Sequence, residues 1–182
     1  MNDKNENKVS YEVIDNFLPS DVLDEMQTIL LPQPSEFVKN QDPIHWIYTS
    51  SVVTARTKGK EDWRLFYFIH PVYRNTIISS FYEKIMPYCG ELLDIKALIR
   101  IKINMYPNNE TLKEHGMHFD YSFSHKAAIL SINTCDGYTK LEDGTKIDSV
   151  ANRMLLFDAS RPHTSTNTTN QVVRVNINFN YF

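Results

Sequence analysis

The chain has 182 residues, 42% of them hydrophobic and 23% charged, with a formal net charge of -3. That length suits one domain, taken as residues 1–182 with 1–10 as a flexible tail, and it can bury a core without disulfides or a structural metal. The mild acidity gives no general reason to expect nucleic acid or a membrane surface as partner, no apolar run approaches a membrane span, and Cys89 and Cys135 stand apart as reduced thiols of a cytoplasmic protein.

Tyr11 to Phe17 alternates and predicts a short strand, after which Leu18-Pro19-Ser20 opens a helix. Ser20 is its expected N-cap, Asp21, Asp24 and Glu25 suit the positive end of the helix dipole, and Val22, Met26 and Ile29 form the expected buried stripe. Pro32 and Pro34 stop it near Leu31. A strand is expected from His45 to Val53, a polar turn at Thr57-Lys58-Gly59-Lys60, and a β-like aromatic run from Trp63 to Ile69. Apolar residues at Tyr73, Ile77, Ile78, Phe81 and Ile85 predict an amphipathic helix over Val72 to Met86, closed by Pro87.

Beyond it come short β-like runs at Leu98 to Tyr106, Lys126 to Asn133, Lys140 to Leu141, Arg153 to Phe157 and Val172 to Phe182, with a compact hairpin turn at Glu142-Asp143-Gly144-Thr145. Two of these runs have sharply divided faces. Ile99, Ile101, Ile103 and Met105 oppose Arg100, Lys102, Asn104 and Tyr106, and Val173, Val175, Ile177 and Phe179 oppose Arg174, Asn176, Asn178 and Asn180. The polar faces look either at water or into an internal pocket. Two helices that need a sheet to cover, and asparagine where surface lysine or glutamate would be usual, favour the pocket. The expected fold is therefore mainly β with flanking helices: a double-stranded β-helix (jelly roll, cupin-like) braced by N-terminal helices.

Chemistry gathers in Glu114-His115-Gly116-Met117-His118-Phe119-Asp120 and in two later residues, His163 and Arg174. Two imidazoles and one carboxylate form a ligand set that leaves open positions on Fe(II), and an arginine beyond them suggests a bound anion. A His-x-Asp pair is a weak signal by itself, and zinc on His115, His118 and His163 is a rival arrangement.

Read in order, Arg100-Ile101-Lys102-Ile103-Asn104-Met105-Tyr106-Pro107, His118-Phe119-Asp120, Leu130-Ser131-Ile132-Asn133, Asn152-Arg153-Met154-Leu155-Leu156-Phe157, His163 and Arg174 resemble the 2-oxoglutarate- and Fe(II)-dependent dioxygenases, specifically the small bacterial and phage-type members of the prolyl 4-hydroxylase-like branch. The resemblance begins at Val13-Ile14-Asp15-Asn16-Phe17-Leu18 and is strongest from Leu98 to Phe182. It implies that His118, Asp120 and His163 ligate iron, that Arg174 anchors the distal carboxylate of 2-oxoglutarate, and that the Tyr106 hydroxyl reaches the same co-substrate. No catalytic residue beyond the metal centre is implied. The implied reaction consumes 2-oxoglutarate and O2, with ascorbate as a supporting reductant, and hydroxylates a prolyl or other side chain of a peptide or protein with release of succinate and CO2. Oxidation of a nucleobase in a groove lined by Arg100, Lys102, Arg161 and Lys126, oxidation of a free amino acid, and a non-catalytic jelly-roll module that keeps the metal site are the alternatives.

The chain departs from the family at two places. Asp136-Gly137-Tyr138 stands where paired glycines are common, and Ser131 replaces a bulky residue near the co-substrate pocket. His115 and His125 are expected to support the site rather than ligate. Tyr121, Tyr138 and His45-Trp46-Ile47-Tyr48 are expected to pack, although they could line the substrate entrance.

Overall fold

The computed structural model describes residues 10–33, 44–50 and 65–182. In chain order the elements are β1 (Tyr11–Ile14), α1 (Ser20–Leu30), β2 (Ile47–Thr49), β3 (Tyr67–Arg74), α2 (Phe81–Leu92), β4 (Leu98–Pro107), β5 (Lys126–Ser131), β6 (Tyr138–Leu141), β7 (Lys146–Asp148), β8 (Met154–Asp158), β9 (His163–Ser165) and β10 (Val173–Tyr181). The strands form a seven-stranded sheet of order β1-β8-β5-β10-β4-β3-β2 and a three-stranded sheet of order β7-β6-β9, antiparallel throughout. This is a double-stranded β-helix braced by two helices.

The strict alternation in β4 and β10 decides which face meets the helices. Ile101 and Ile103 with Val173, Val175, Ile177 and Phe179 join Val22, Met26 and Leu30 of α1 and Phe81, Ile85 and Cys89 of α2 in the main core. A smaller core, built from Ala127, Ile129, Leu155 and Phe157 with Leu141 and Ile147, fills the space between the sheets. The apolar faces thus turn outward onto the helices, leaving the polar faces of β4 and β10 inside. Cys89 and Cys135 are both free and buried, and burial lifts the Cys89 thiol to about 12.

Three expectations require correction. Ser20 is the first residue of α1 and supplies no capping hydrogen bond; Pro19 precedes it with its carbonyl accepting from Leu23 N at 3.1 Å. The buried stripe is Val22, Met26 and Leu30, the i, i+4, i+8 set, with Ile29 at its margin. The helix expected over Val72 to Met86 is instead the end of β3, a turn, and α2, which runs through Pro87 to Leu92. Pairing with β4 along most of its length and with β2 at Tyr67 to Ile69 holds Tyr67–Arg74 in the sheet, with a bulge between Pro71 and Tyr73 that accommodates the missing proline donor and turns Val72 fully into the core. Asn75, at φ 60°, then reverses the chain. The short strands β7 and β9 were not expected. Ser51 to Val53, the turn at 57–60, Trp63, Pro34 and the tail at 1–9 lie outside the described residues. No helix among the described residues is long and apolar enough to cross a membrane.

Candidate metal centre and co-substrate pocket

The segment that carries the His-x-Asp pair runs extended beside β9. His118 N donates to His163 O at 2.9 Å and His163 N to His118 O at 2.8 Å, a reciprocal antiparallel pair that sets the two rings 4.6 Å apart between centroids. Asp120 N donates to Ala159 O at 3.2 Å, which continues the alignment. Because side chains alternate along extended backbone, His118 and Asp120 face the same way, while Met117 and Phe119 face out, 43% and 53% exposed. One ligand atom from each of His118, Asp120 and His163 falls within 4.8 Å of the others.

The surroundings prepare each of these groups. His118 Nδ1 lies 3.1 Å from Gly116 O and His163 Nδ1 lies 3.2 Å from Arg161 O, so each ring can donate there and keep Nε2 as a lone-pair donor. Burial, then the His163 imidazole, lowers His118 to about 4, and burial also lowers His163. Burial pushes the Asp120 carboxyl up, but the Arg100 and Lys102 cations outweigh it and hold it far below the usual carboxylate range. Arg100 Nη2 sits 2.7 Å from Asp120 Oδ1, while Asn180 Nδ2 and Asn178 Nδ2 donate to Oδ2 at 2.9 and 3.3 Å. At neutral pH the cluster is two neutral imidazoles and a carboxylate, the protonation states a divalent metal requires.

Arg174 and Tyr106 are cross-strand partners in the β10–β4 register and share the inner face. The guanidinium carbon is 5.4 Å from the Tyr106 ring centroid. Arg174 is 1% exposed, with Nη1 donating to Thr166 O at 2.9 Å and Nη2 to Thr139 Oγ1 at 3.2 Å, and its Nε has no partner. No carboxylate among the described residues pairs with it. Burial lowers its pKa, partly offset by Tyr106; burial likewise raises the Tyr106 phenol, partly offset by Arg174. A buried cation without a counter-charge is costly, on the order of several kcal/mol, and a bound carboxylate would offset it. Nearby Asn104 Oδ1 and Asn176 Nδ2 are also buried and unpartnered, although the two residues bond to each other at 2.8 Å through their other atoms. Ser131 lies opposite Asn176, buried. The residues present therefore fit a metal and an anionic co-substrate.

Gly137, the single glycine where paired ones are common, accounts for how the arginine fits. A Cβ there would lie 2.6 Å from Arg174 Cδ and 2.6 Å from Asn167 O. Next to it, the Asp136 carboxylate accepts from Thr168 Oγ1 at 2.8 Å and Thr169 N at 2.9 Å, tying the loop to the segment between β9 and β10.

His115 does not join the metal-capable group, so the zinc set of three histidines is not formed. It is 5% exposed, packs on Tyr106 and Tyr67 at 5.1 and 5.8 Å between centroids, is lowered to about 4 by burial and then Arg174, and leaves Nδ1 unpartnered. His125 bonds Phe123 O through Nδ1 at 2.9 Å, and its Nε2 lies 3.2 Å from the Asn180 amide nitrogen that holds Asp120. It also lines a separate cavity of about 970 Å³ beside β1, the end of α2 and Phe182, which contains none of the His118, Asp120 and His163 cluster. Tyr138 donates to Glu114 at 2.7 Å, Tyr121 stacks on Phe123 at 5.2 Å, and Tyr48 is 60% exposed. Of the four basic residues considered for a nucleic-acid groove, Arg100 and Lys102 face inward and Arg161 is paired with Glu142 at 2.8 Å. Sequence reasoning missed Arg100, Asn178 and Asn180 as partners of Asp120, although their shared parity with Arg174 and Tyr106 was visible.

No family model matches the sequence, and no curated protein matches it. Solved structures do. A prolyl-4-hydroxylase from Pseudomonas putida superimposes with a TM-score of 0.63 at 12% identity, covering 96% of this chain and 93% of that one. A prolyl hydroxylase from Trichoplax adhaerens, in complex with a peptide fragment of the hypoxia inducible factor oxygen degradation domain, gives 0.61 at 17% identity over 97% and 84%. The non-heme alpha ketoglutarate dependent carbocyclase SnoK from nogalamycin biosynthesis gives 0.61 at 10% identity over 97% and 80%. The double-stranded β-helix of this chain is thus the fold of the 2-oxoglutarate- and Fe(II)-dependent oxygenases.

Proposed function

We propose that the protein is an Fe(II)- and 2-oxoglutarate-dependent dioxygenase that hydroxylates a C–H bond of a prolyl or other side chain in a peptide or protein. The conversion balances as R–H, 2-oxoglutarate and O2 going to R–OH, succinate and CO2. The observation that carries this reading is Arg174, a fully buried guanidinium with an unpartnered Nε and no carboxylate beside it among the described residues, in a fold that also gathers His118, Asp120 and His163.

In this reading His118 and His163, each through Nε2, and one Asp120 oxygen would hold the metal. The metal and 2-oxoglutarate, when bound, supply the oxidising chemistry. The protein's part is orientation and exclusion of water. Gly116 O and Arg161 O fix the imidazole tautomers, and Arg100, Asn178 and Asn180 fix the carboxylate. Arg174 takes the distal carboxylate through its planar donors, and the Tyr106 hydroxyl donates to the same group. Tyr67, stacked on Tyr106 at 5.3 Å, and His115 close that end of the pocket with buried rings. A peptide substrate is supported by the prolyl hydroxylase neighbours and by the exposed apolar side chains of Met117 and Phe119 beside the cluster.

Anaerobic titration with Fe(II) and 2-oxoglutarate, followed by the metal-to-ligand charge-transfer band, tests the site. A search for a +16 product and succinate after admitting O2 tests the reaction, with His118→Ala as control. A protein that binds Fe(II) and 2-oxoglutarate yet yields no succinate above that control across a broad peptide panel with ascorbate would instead be a jelly-roll binding module.

A further inference from the structure

The inner face of β4 carries a cation that neither the metal nor the co-substrate uses. Strand register sets Lys102 opposite Asn178, between Arg100 and Asn104, on the same face as Tyr106 and Arg174. Its ammonium is near enough to act electrostatically on Asp120, His118 and His163. Yet Asp120 is already engaged, Oδ1 by Arg100 and Oδ2 by Asn180 and Asn178. No hydrogen bond or ion pair among the described residues reaches the Lys102 ammonium. If Asp120 also binds a divalent metal, its charge is shared further and Lys102 is left more exposed electrostatically. Lys102 is partly buried on this inner face, so its ammonium is open to a ligand that enters the pocket.

We propose that the substrate is an acidic peptide whose side-chain carboxylate pairs with Lys102 and so presents the neighbouring C–H bond to the metal centre. This rests on the oxygenase reading above and adds the substrate's charge to it. A carboxylate fits better than a phosphate dianion, because the neighbouring cation on this face gives no second free charge: the Nη2 arm of Arg100 is committed to Asp120 and to Asn180 Oδ1, each at 2.7 Å. Lys102 offers one point charge, the match for a monoanion. Arg100 also lies over the Tyr121 ring, at 5.3 Å from its centroid, which keeps it from swinging toward a ligand.

The test uses the Fe(II)- and 2-oxoglutarate-loaded protein with three matched peptide libraries that differ at one fixed position, Glu, Gln or phosphoserine, beside a randomised position that includes proline. The Glu library is expected to raise succinate release above the no-peptide background by about tenfold more than the Gln library, with the difference in KM. Lys102→Met should bring the two libraries level, and Lys102→Glu should turn the preference toward a Lys library. Thermal melting of each variant establishes that it is folded, and Lys102→Met carries the comparison if the charge reversal does not fold. Equal stimulation by Glu and Gln, stimulation by phosphoserine alone, no stimulation by any library, or a Glu preference that survives in Lys102→Met would each overturn the proposal while the charge-transfer band and 2-oxoglutarate consumption still stand. Loss of the band and of all succinate in the unmodified protein would overturn the oxygenase reading and this one with it.

Discussion

At the scale of single residues, Arg174 separates what stabilises the fold from what serves a ligand. Its guanidinium is buried without a counter-charge, so the ligand-free protein bears a desolvation cost that a bound carboxylate would offset. Arg174→Met keeps the length of the side chain and removes the charge. The variant should be more stable than the parent to urea by about 1–3 kcal/mol in the absence of ligand, and should bind 2-oxoglutarate at least about a hundredfold more weakly in the anaerobic charge-transfer titration. A purely structural arginine would give the opposite result in urea and no change in the titration. Gly137 is coupled to the same side chain. In Gly137→Ala the new methyl meets both the flexible Arg174 stem and the rigid Asn167 carbonyl at 2.6 Å, so backbone as well as side chain must shift. A loss of about 1–3 kcal/mol in urea is expected, with weakened 2-oxoglutarate binding in the same titration.

At the scale of elements, β4 and β10 were legible because nine or ten residues of unbroken alternation leave one solution for which face is greasy. Strands β7 and β9, at three residues each, are too short to show a period, and β9 exists through its neighbours: β6 on one side and the His118 segment on the other. The site was therefore readable as residue types in order, while the backbone pairing that brings His118 to His163 was not. Parity likewise put Arg100 and Asn180 inside without saying that both would grip Asp120. The misplaced helix has a physical cause too. Tyr73 at the end of β3 stacks on Tyr82 in α2 at 5.7 Å and both pack on the same core, while Ile77 and Ile78 in the turn between are about half exposed, so apolar residues of a strand, a turn and a helix fall at helical spacing without sharing one buried face. Pro87 ought to have ended a helix and instead sits exposed inside α2, where buried Phe81, Ile85 and Cys89 hold the helix against the core despite the lost donor. Pro87→Ala restores the hydrogen bond to the Glu83 carbonyl and should raise stability by about 1–3 kcal/mol, read from urea unfolding. No gain would mean that the backbone has relaxed fully around the proline.

At the scale of the whole molecule, the metal-free protein concentrates buried neutral imidazoles in one place, and this gives its stability a pH dependence of definite sign. His115 and His118 are both lowered to about 4, mainly by burial, and His163 is lowered by burial as well. Unfolding returns each to about 6.5. Between those values the unfolded chain binds more protons than the folded one, so acidification favours unfolding; the contribution is complete above about 6.5 and is lost as the pH falls toward about 4. Asp120 works in the same direction at lower pH, because its depressed carboxyl stabilises the fold only while ionised. Each histidine adds at most about 1.4 kcal/mol per pH unit to the slope. The measurement is urea unfolding of the metal-free protein at half-unit steps from pH 7.5 to 4.5, beside His115→Gln, which removes one titrating group that lies outside the metal-capable cluster. The variant should show a shallower slope by up to one proton in that window and an unchanged slope above pH 7. Excess Fe(II), kept anaerobic, should stabilise both proteins by a nearly constant amount from pH 7 to 5 and lose this effect only as the pH falls through about 4, where proton and metal compete for the same Nε2 atoms of the folded protein. If the metal-induced stabilisation is still undiminished well below pH 4, the metal is not held by His118 and His163.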